Sequence, residues 1–111
     1  MIDWTTVDAV VHLATNYGRN GSAALEMCNV ELPKKLLSLS QQFGVPNFLN
    51  ADSFFSDVSK SYPYLKEYRE SKLRFREFAK ASADSYDTKV INLRIFHMYG
   101  PNDNKGKFVH E

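Results

Sequence analysis

The strongest constraint on the fold of this chain is the alternation of short apolar segments with longer segments of helical periodicity. The apolar segments cover residues 8–14, 45–49 and 90–96. Between them, apolar residues recur at helical spacing over residues 25–43 and 64–82. The order is therefore β-α-β-α-β. It implies parallel strands joined by right-handed crossovers, and hence an α/β fold with a doubly wound parallel sheet.

Local signals fix the ends of these elements. The first strand is a short, mainly apolar run rich in β-forming residues, which predicts burial on both faces. Gly44 is expected to end the first helix as a C-terminal cap. In doubly wound sheets ligands bind at the carboxyl ends of the strands. That rule singles out the loops at residues 14–21, 50–56 and 96–102.

Composition and charge exclude several classes of protein. The 111 residues suit one domain, and no apolar stretch approaches the roughly 18–20 residues that a membrane span needs. A net charge of +1 without basic clusters argues against a nucleic-acid partner. The single cysteine, Cys28, excludes an internal disulfide, and no metal site is expected. A reducing cytoplasm fits this composition best.

Two Tyr-x-x-x-Lys pairs are candidate catalytic groups, Tyr62 with Lys66 and Tyr68 with Lys72. This spacing puts both side chains on one helix face, where an ammonium can favour the ionised form of a phenol. Pro63 follows Tyr62 and suits only the first turn of a helix, so Tyr68 and Lys72 are the better pair. A solvated surface pair is the simpler interpretation of the spacing alone.

Ser53 follows the second predicted strand, at the carboxyl edge where a third catalytic group would be needed. Its hydroxyl is suited to hydrogen-bonding a substrate oxygen. A capping role beside Asp52 is the alternative.

Four ordered segments, spanning about residues 7–109, resemble the extended short-chain dehydrogenase/reductase family, also called the NAD-dependent epimerase/dehydratase family. They are Val-Asp-Ala-Val-Val-His-Leu-Ala at 7–14, Asn-Ala-Asp-Ser at 50–53, Tyr-Arg-Glu-Ser-Lys at 68–72 and Leu-Arg-Ile-Phe-His-Met-Tyr-Gly-Pro at 93–101. Asn29 also stands where the family keeps an asparagine. The resemblance implies a Rossmann-type fold with NAD or NADP as cofactor and a nucleotide sugar as substrate.

The resemblance also implies a role for each matching residue. Tyr68 would be the acid or base that exchanges a proton with the sugar, Lys72 would lower the pKa of Tyr68 and bind the nicotinamide ribose, and Ser53 would hydrogen-bond the same sugar oxygen. Further residues are expected to bind the cofactor, and His97 to contact the substrate. The cofactor-binding set is Leu13, Ala14, Thr15, Asn29, Tyr68, Lys72 and Phe96.

Two parts of the family pattern are missing from residues 1–111. The family opens with a Gly-x-x-Gly-x-x-Gly turn that binds pyrophosphate, whereas Gly18 and Gly21 follow the wrong strand and are interpreted as loop glycines. The C-terminal substrate domain is also missing. Residues 1–111 are therefore expected to be the central and second half of an NAD(P)-binding domain, inactive by themselves, from an enzyme that is a homodimer at full length.

The finer resemblance is to enzymes that make CDP- or dTDP-linked deoxysugars by reducing a 4-keto group. We therefore expect an NAD(P)-dependent nucleotide-sugar epimerase or reductase in deoxysugar or surface-polysaccharide biosynthesis. A nucleotide-sugar 4,6-dehydratase ranks lower. The resemblance implies an acidic pair beside the catalytic serine or threonine of a dehydratase, whereas here Asp52 precedes Ser53 but Phe54 and Phe55 follow it. A non-catalytic remnant or a cofactor-sensing module is the remaining alternative.

Overall fold

The computed structural model describes residues 1–53, 66–96 and 100–102. A short 3-10 turn, Trp4–Thr6, precedes strand β1, Ala9–His12. One continuous helical segment then contains helix α1, Ser22–Glu26, a π-helical turn, Met27–Glu31, and helix α2, Leu32–Gln42. Strand β2, Asn47–Ser53, helix α3, Lys66–Ala83, and strand β3, Lys89–Ile95, complete the described fold.

The three strands form a parallel sheet in the order β1-β2-β3. The predicted β-α-β-α-β order and the parallel pairing are therefore confirmed. Residues 10, 48 and 90 lie side by side across the sheet. Residues 12, 50 and 92 form the next row on the same face, towards the carboxyl ends of the strands.

The hydrophobic core lies on one face of the sheet. Phe48 of β2 packs with Leu37 of α2 and with Phe75 and Ala79 of α3, and Val10 and Val90 flank it on the neighbouring strands. Both helices lie on this face because the strand order advances in one direction, so two right-handed crossovers put their helices on the same side.

The predicted burial of the first strand on both faces is wrong for the described part of the chain. Val11 is 53% exposed and Leu93 is 43% exposed, and both point away from the core side chains Val10 and Phe48. Apolar strands of this kind are usually covered by helices on both faces. Here the described helices supply one of the two layers.

Pro33 explains the π-helical turn. A proline has no N–H with which to bond the carbonyl four residues back, so regular α-helical bonding is interrupted at this point. The helical turn contains one extra residue here. The Leu32 N–H donates to the Met27 carbonyl, five residues earlier. Asn29 lies at the centre of this turn and is buried.

Gly44 ends α2 as predicted. It has a φ of 68°, in the left-handed region that favours glycine. The Gly44 N–H donates to the Gln41 carbonyl and the Val45 N–H to the Ser40 carbonyl, at 3.4 and 2.8 Å. These two bonds form a Schellman motif.

The second strand is displaced from its prediction. It begins at Asn47 instead of Val45 and continues through Ser53, because residues 50–53 pair with residues 92–95 of β3. The polar composition of this segment indicated a loop, but its buried polar side chains are hydrogen-bonded to neighbouring strands.

Candidate active site

Three segments meet at the carboxyl end of the sheet. Thr15 follows β1, Ser53 ends β2, and Tyr68 lies in the first turn of α3. The hydroxyl groups of Ser53 and Thr15 lie close enough to the Tyr68 phenol to lower its pKa by hydrogen bonding. The structure thus brings together a phenol and a serine that the sequence placed on different elements.

Tyr68 is only 6% exposed. Burial raises the pKa of its phenol, because the charged form loses solvation, and the hydrogen bonds from Ser53 and Thr15 oppose this effect. The ring of Tyr17 lies 4.8 Å from that of Tyr68, measured between centroids. In these surroundings Tyr68 is a neutral phenol at physiological pH.

Lys72 lies one helical turn after Tyr68 and is 3% exposed. Its Nζ donates to the Ala51 carbonyl at 3.1 Å and lies 5.9 Å from the centroid of the Tyr68 ring. Burial lowers the pKa of Lys72, and attraction to Asp52 and then to Cys28 opposes the shift. The largest effect on the Tyr68 pKa is burial, which raises it, and the expected lowering of that pKa by Lys72 stays a prediction.

The two Tyr-x-x-x-Lys pairs differ in their surroundings. Lys66 is the first residue of α3, and its side chain is 70% exposed and lies 4.0 Å from Glu70. Tyr62 lies outside the described residues. The surface-pair interpretation thus fits Lys66, whereas Tyr68 and Lys72 are buried side by side on the sheet-facing side of α3.

Asn29 ties the π-helical turn to two neighbouring segments. Its Oδ1 accepts from the Asn16 N–H at 2.8 Å, and its Nδ2 donates to the Asn16 carbonyl at 2.8 Å and to Ser71 Oγ at 3.0 Å. The Ser71 hydroxyl in turn donates to the Tyr68 carbonyl at 2.7 Å. These contacts hold the loop after β1 against α3, and a direct role of Asn29 in cofactor binding stays a prediction.

The other predicted cofactor residues lie at the same edge of the sheet. Leu13 and Ala14 follow β1 and Phe96 follows β3; Leu13 is 65% and Phe96 63% exposed. A role of these side chains in cofactor binding stays a prediction. His97, the predicted substrate contact, lies outside the described residues.

Gly18 and Gly21 lie in the loop before α1, as interpreted from the sequence. Both have positive φ, and the Gly21 N–H donates to the Gly18 carbonyl at 3.2 Å. They form a tight turn before a five-residue helix. None of the described residues forms the glycine-rich turn that the family resemblance implies for the pyrophosphate.

A family model described as "NAD dependent epimerase/dehydratase family" matches residues 1–111. The chain belongs to this family. The match agrees with the resemblance seen in the four sequence segments, and it confirms a nicotinamide cofactor as that of the family.

Known proteins that are similar to this chain include nucleotide-sugar enzymes. A CDP-abequose synthase from Salmonella muenchen is 41% identical over 106 residues, which cover 93% of this chain and 36% of the relative. A UDP-glucuronic acid 4-epimerase from Bacillus cereus, solved with NAD, superposes with a TM-score of 0.73 at 20% identity, covering 90% of this chain and 36% of that one. A GDP-L-fucose synthetase from Naegleria fowleri bound to NADP gives a TM-score of 0.66 at 19% identity, with coverages of 87% and 39%.

The structures confirm the Rossmann-like fold, and the chain spans about a third of the length of these proteins. Among the described helices, none is long and apolar enough to cross a membrane.

Sequence reasoning missed a group of buried polar residues beneath α3. Asp52 was considered only as a cap or as a dehydratase acid, yet its side chain is fully buried and paired with Arg76. His12, Asn50 and Asn92 connect to it across the sheet. The available signal was the period-two spacing of Asn50 and Asp52, which puts both on one face of a strand.

Proposed function

We propose that this chain carries the catalytic segment of an NAD(P)-dependent nucleotide-sugar epimerase or reductase that acts at a 4-keto or 4-hydroxyl position. The observation that carries the proposal is the burial of Tyr68 close to the Ser53 hydroxyl, one helical turn from the buried Lys72, whose Nζ lies 5.9 Å from the Tyr68 ring centroid. A phenol, a hydroxyl and an ammonium so arranged can hold one sugar oxygen and move its proton.

Each residue has a distinct role in this proposal. The Tyr68 hydroxyl exchanges a proton with the sugar oxygen, and the Ser53 hydroxyl holds the same oxygen by a hydrogen bond. Lys72 binds the nicotinamide ribose and lowers the pKa of Tyr68 in the loaded enzyme. Leu13, Ala14, Thr15, Asn29 and Phe96 complete the cofactor-binding set. The cofactor supplies or accepts hydride when bound.

The protonation state of Tyr68 favours reduction. Burial raises its pKa, so the phenol carries its proton at neutral pH. A carbonyl that accepts hydride also needs a proton on its oxygen, and a neutral phenol can donate it. The site is thus prepared for the acid role that a 4-keto reduction requires.

Similarity to a curated CDP-abequose synthase favours a CDP-linked sugar as substrate. Identity of 41% to a CDP-abequose synthase over nearly the whole chain is well above that to any of the solved structures named above. We therefore propose a CDP-linked deoxysugar as substrate and deoxysugar or surface-polysaccharide biosynthesis as the setting. The expected cytoplasmic location and the homodimer of the full-length form belong to the same proposal, as does the assignment of residues 1–111 to the central part of the cofactor-binding domain.

The 4,6-dehydratase alternative is weakened by the position of Asp52. Its side chain is fully buried and forms an ion pair with Arg76 on the helix-covered face of the sheet. A carboxylate held in this way is not available to protonate a leaving hydroxyl. The non-catalytic alternative is a remnant or a cofactor-sensing module. The retention of Ser53, Tyr68 and Lys72 close together is evidence against it.

Substitution of Tyr68 by Phe tests the proposed function. In the enzyme that contains residues 1–111, Tyr68→Phe is expected to lower kcat by at least about a hundredfold, because it removes the proton donor and keeps the ring. Cofactor affinity, measured by fluorescence titration, should change little. Tyr86→Phe is the matched control, because Tyr86 is half exposed and lies beyond α3. Unchanged turnover in Tyr68→Phe would overturn the mechanism.

A further inference from the structure

Helix α3 contacts three consecutive residues of β2 through side chains spaced four residues apart. The contacts are those of Tyr68 with Ser53, Lys72 with the Ala51 carbonyl, and Arg76 with Asp52. Spacing of i, i+4 and i+8 puts the three helix residues on one face. The first two contacts belong to the proposed catalytic set, and the third lies directly beside them.

The carboxylate of Asp52 is fully buried and has several donors around it. Its Oδ1 accepts from the Ser53 N–H at 2.7 Å, and its Oδ2 accepts from Asn92 Nδ2 at 2.8 Å and from Arg76 Nη1 at 3.3 Å. A buried charge of this kind is stable only where such donors compensate for its lost solvation. Asp52 therefore joins strands β2 and β3 to α3 at the residue before Ser53.

The hydrogen bonds across the sheet all point towards Asp52. His12 Nδ1 donates to Asn50 Oδ1 at 3.2 Å, Asn50 Nδ2 donates to Asn92 Oδ1 at 2.9 Å, and Asn92 Nδ2 donates to Asp52. This direction follows from the acceptor role of each amide oxygen. Bonds aligned in one direction polarise each other, and the negative charge at the end strengthens them.

We infer that Asp52 is a positioning residue for the catalytic set: its buried carboxylate, fixed by Arg76 and Asn92, holds Ser53 in place and balances the charge of Lys72. The inference rests on the proposed function for its meaning in catalysis. Its structural basis is a carboxylate that accepts from the Ser53 N–H, one residue after the Ala51 carbonyl to which Lys72 donates, and this geometry is independent of turnover.

The consequence for Lys72 is electrostatic. Burial disfavours its ammonium, and Asp52 acts against that effect. The other groups that face Lys72 are His12 on β1, which burial keeps neutral, Cys28 in the π-helical turn, and Tyr68 on its own helix. Asp52 is thus the carboxylate among the groups that act on Lys72 in the described part of the chain, and its attraction is the larger of the two that oppose the effect of burial.

The test is the pKa of Lys72 in Asp52→Asn, measured by NMR titration of the whole enzyme with isotope-labelled lysine. Asparagine keeps the shape of the side chain and removes its charge. We expect the pKa of Lys72 to fall by about one pH unit or more, in line with loss of a nearby opposite charge. Glu26→Gln is the matched control, because Glu26 pairs with Arg74 at the surface of α3 and should leave the Lys72 pKa unchanged.

A second pair of variants covers the case in which Asp52→Asn leaves Arg76 buried without its partner and fails to fold. Arg76→Met removes the cation, and the double variant Asp52→Asn/Arg76→Met removes both charges. The Lys72 pKa should be lower in the double variant than in Arg76→Met. An equal pKa in these two, or in folded Asp52→Asn and the unmodified enzyme, would overturn the inference. The Lys72 pKa can be measured without turnover. Failure of this inference would therefore be distinguishable from failure of the proposed activity.

Discussion

His12 is a buried titratable side chain at the end of β1, and its environment makes the neutral ring the stable form. Burial lowers its pKa, and repulsion from Lys72 adds to the effect, while the hydrogen bond with Asn50 opposes it. Since the neutral ring already donates through Nδ1, protonation would add a charge beneath α3 without adding a bond to Asn50. The state of this histidine is therefore linked to folding.

The stability of the fold should fall in acid because of His12. Its pKa is lower in the folded state than in the unfolded chain, where it is about 6.5, so the unfolded state binds the proton first. The contribution is complete above about pH 6.5 and is lost as the pH falls through the folded value, by at most about 1.4 kcal/mol per pH unit. Urea unfolding between pH 8 and pH 5 measures it.

His12→Asn is the comparison for that measurement. Asparagine can present an Nδ2 donor to Asn50 and does not titrate, so the variant should lose less stability than the unmodified protein over the same pH interval. Equal losses in both proteins would show that His12 does not contribute.

The boundary of α2 depends on backbone conformation more than on packing. Gly44 has a positive φ, and an added Cβ would meet nothing within 4 Å. Any cost of a substitution there is therefore conformational. The π-helical turn lies just before α2 in the same continuous helical segment. It follows from Pro33, and it places Asn29 against the loop after β1.

Gly44→Ala should destabilise the fold by about 1 kcal/mol, because alanine resists the left-handed conformation. The free energy of unfolding in urea measures the change. Gln42→Ala, at an exposed position two residues earlier, should change stability by less than about 0.5 kcal/mol. A Gly44→Ala variant as stable as the Gln42→Ala control would refute the conformational argument.

Sequence periodicity predicted the elements well where side chains follow a simple apolar pattern. Leu25, Val30 and Leu37 lie on the buried side of the first helical segment, and Phe75 and Ala79 lie on that of α3. The pattern failed for β2, because Asn50 and Asp52 are polar and yet buried. Their burial depends on partners 38 to 42 residues away in the chain, which local sequence does not reveal.

The candidate site was predicted only in part, because some of its contacts also join residues that are far apart in the chain. Tyr68, Lys72 and Ser53 were found because they match a spacing and a strand end, and the structure brings them together. Arg76 was missed, although it continues the Tyr68 and Lys72 face by one turn, because a surface arginine is the usual expectation for such a position. The ion pair with Asp52 appears only once α3 is packed on the sheet.

The described part of the molecule is a three-stranded sheet with its helices on one face. The opposite face carries the exposed apolar side chains Val11 and Leu93, and Leu13 and Phe96, which follow β1 and β3, are also exposed. The chain also spans about a third of the length of its curated relative. At this scale the fold brings Ser53, Tyr68 and Lys72 together at one end of the sheet, and the proposed activity belongs to the enzyme that contains them.

Hydride transfer to the sugar is the most direct measurement of the proposed chemistry. The enzyme that contains residues 1–111 would be incubated with a CDP-linked 4-keto-6-deoxysugar and a reduced nicotinamide cofactor deuterated at the reactive carbon, and the product examined by NMR. We predict deuterium on carbon 4 of the sugar, and no labelled product from Tyr68→Phe. Product without deuterium, or labelled product formed equally fast by Tyr68→Phe, would contradict the proposal.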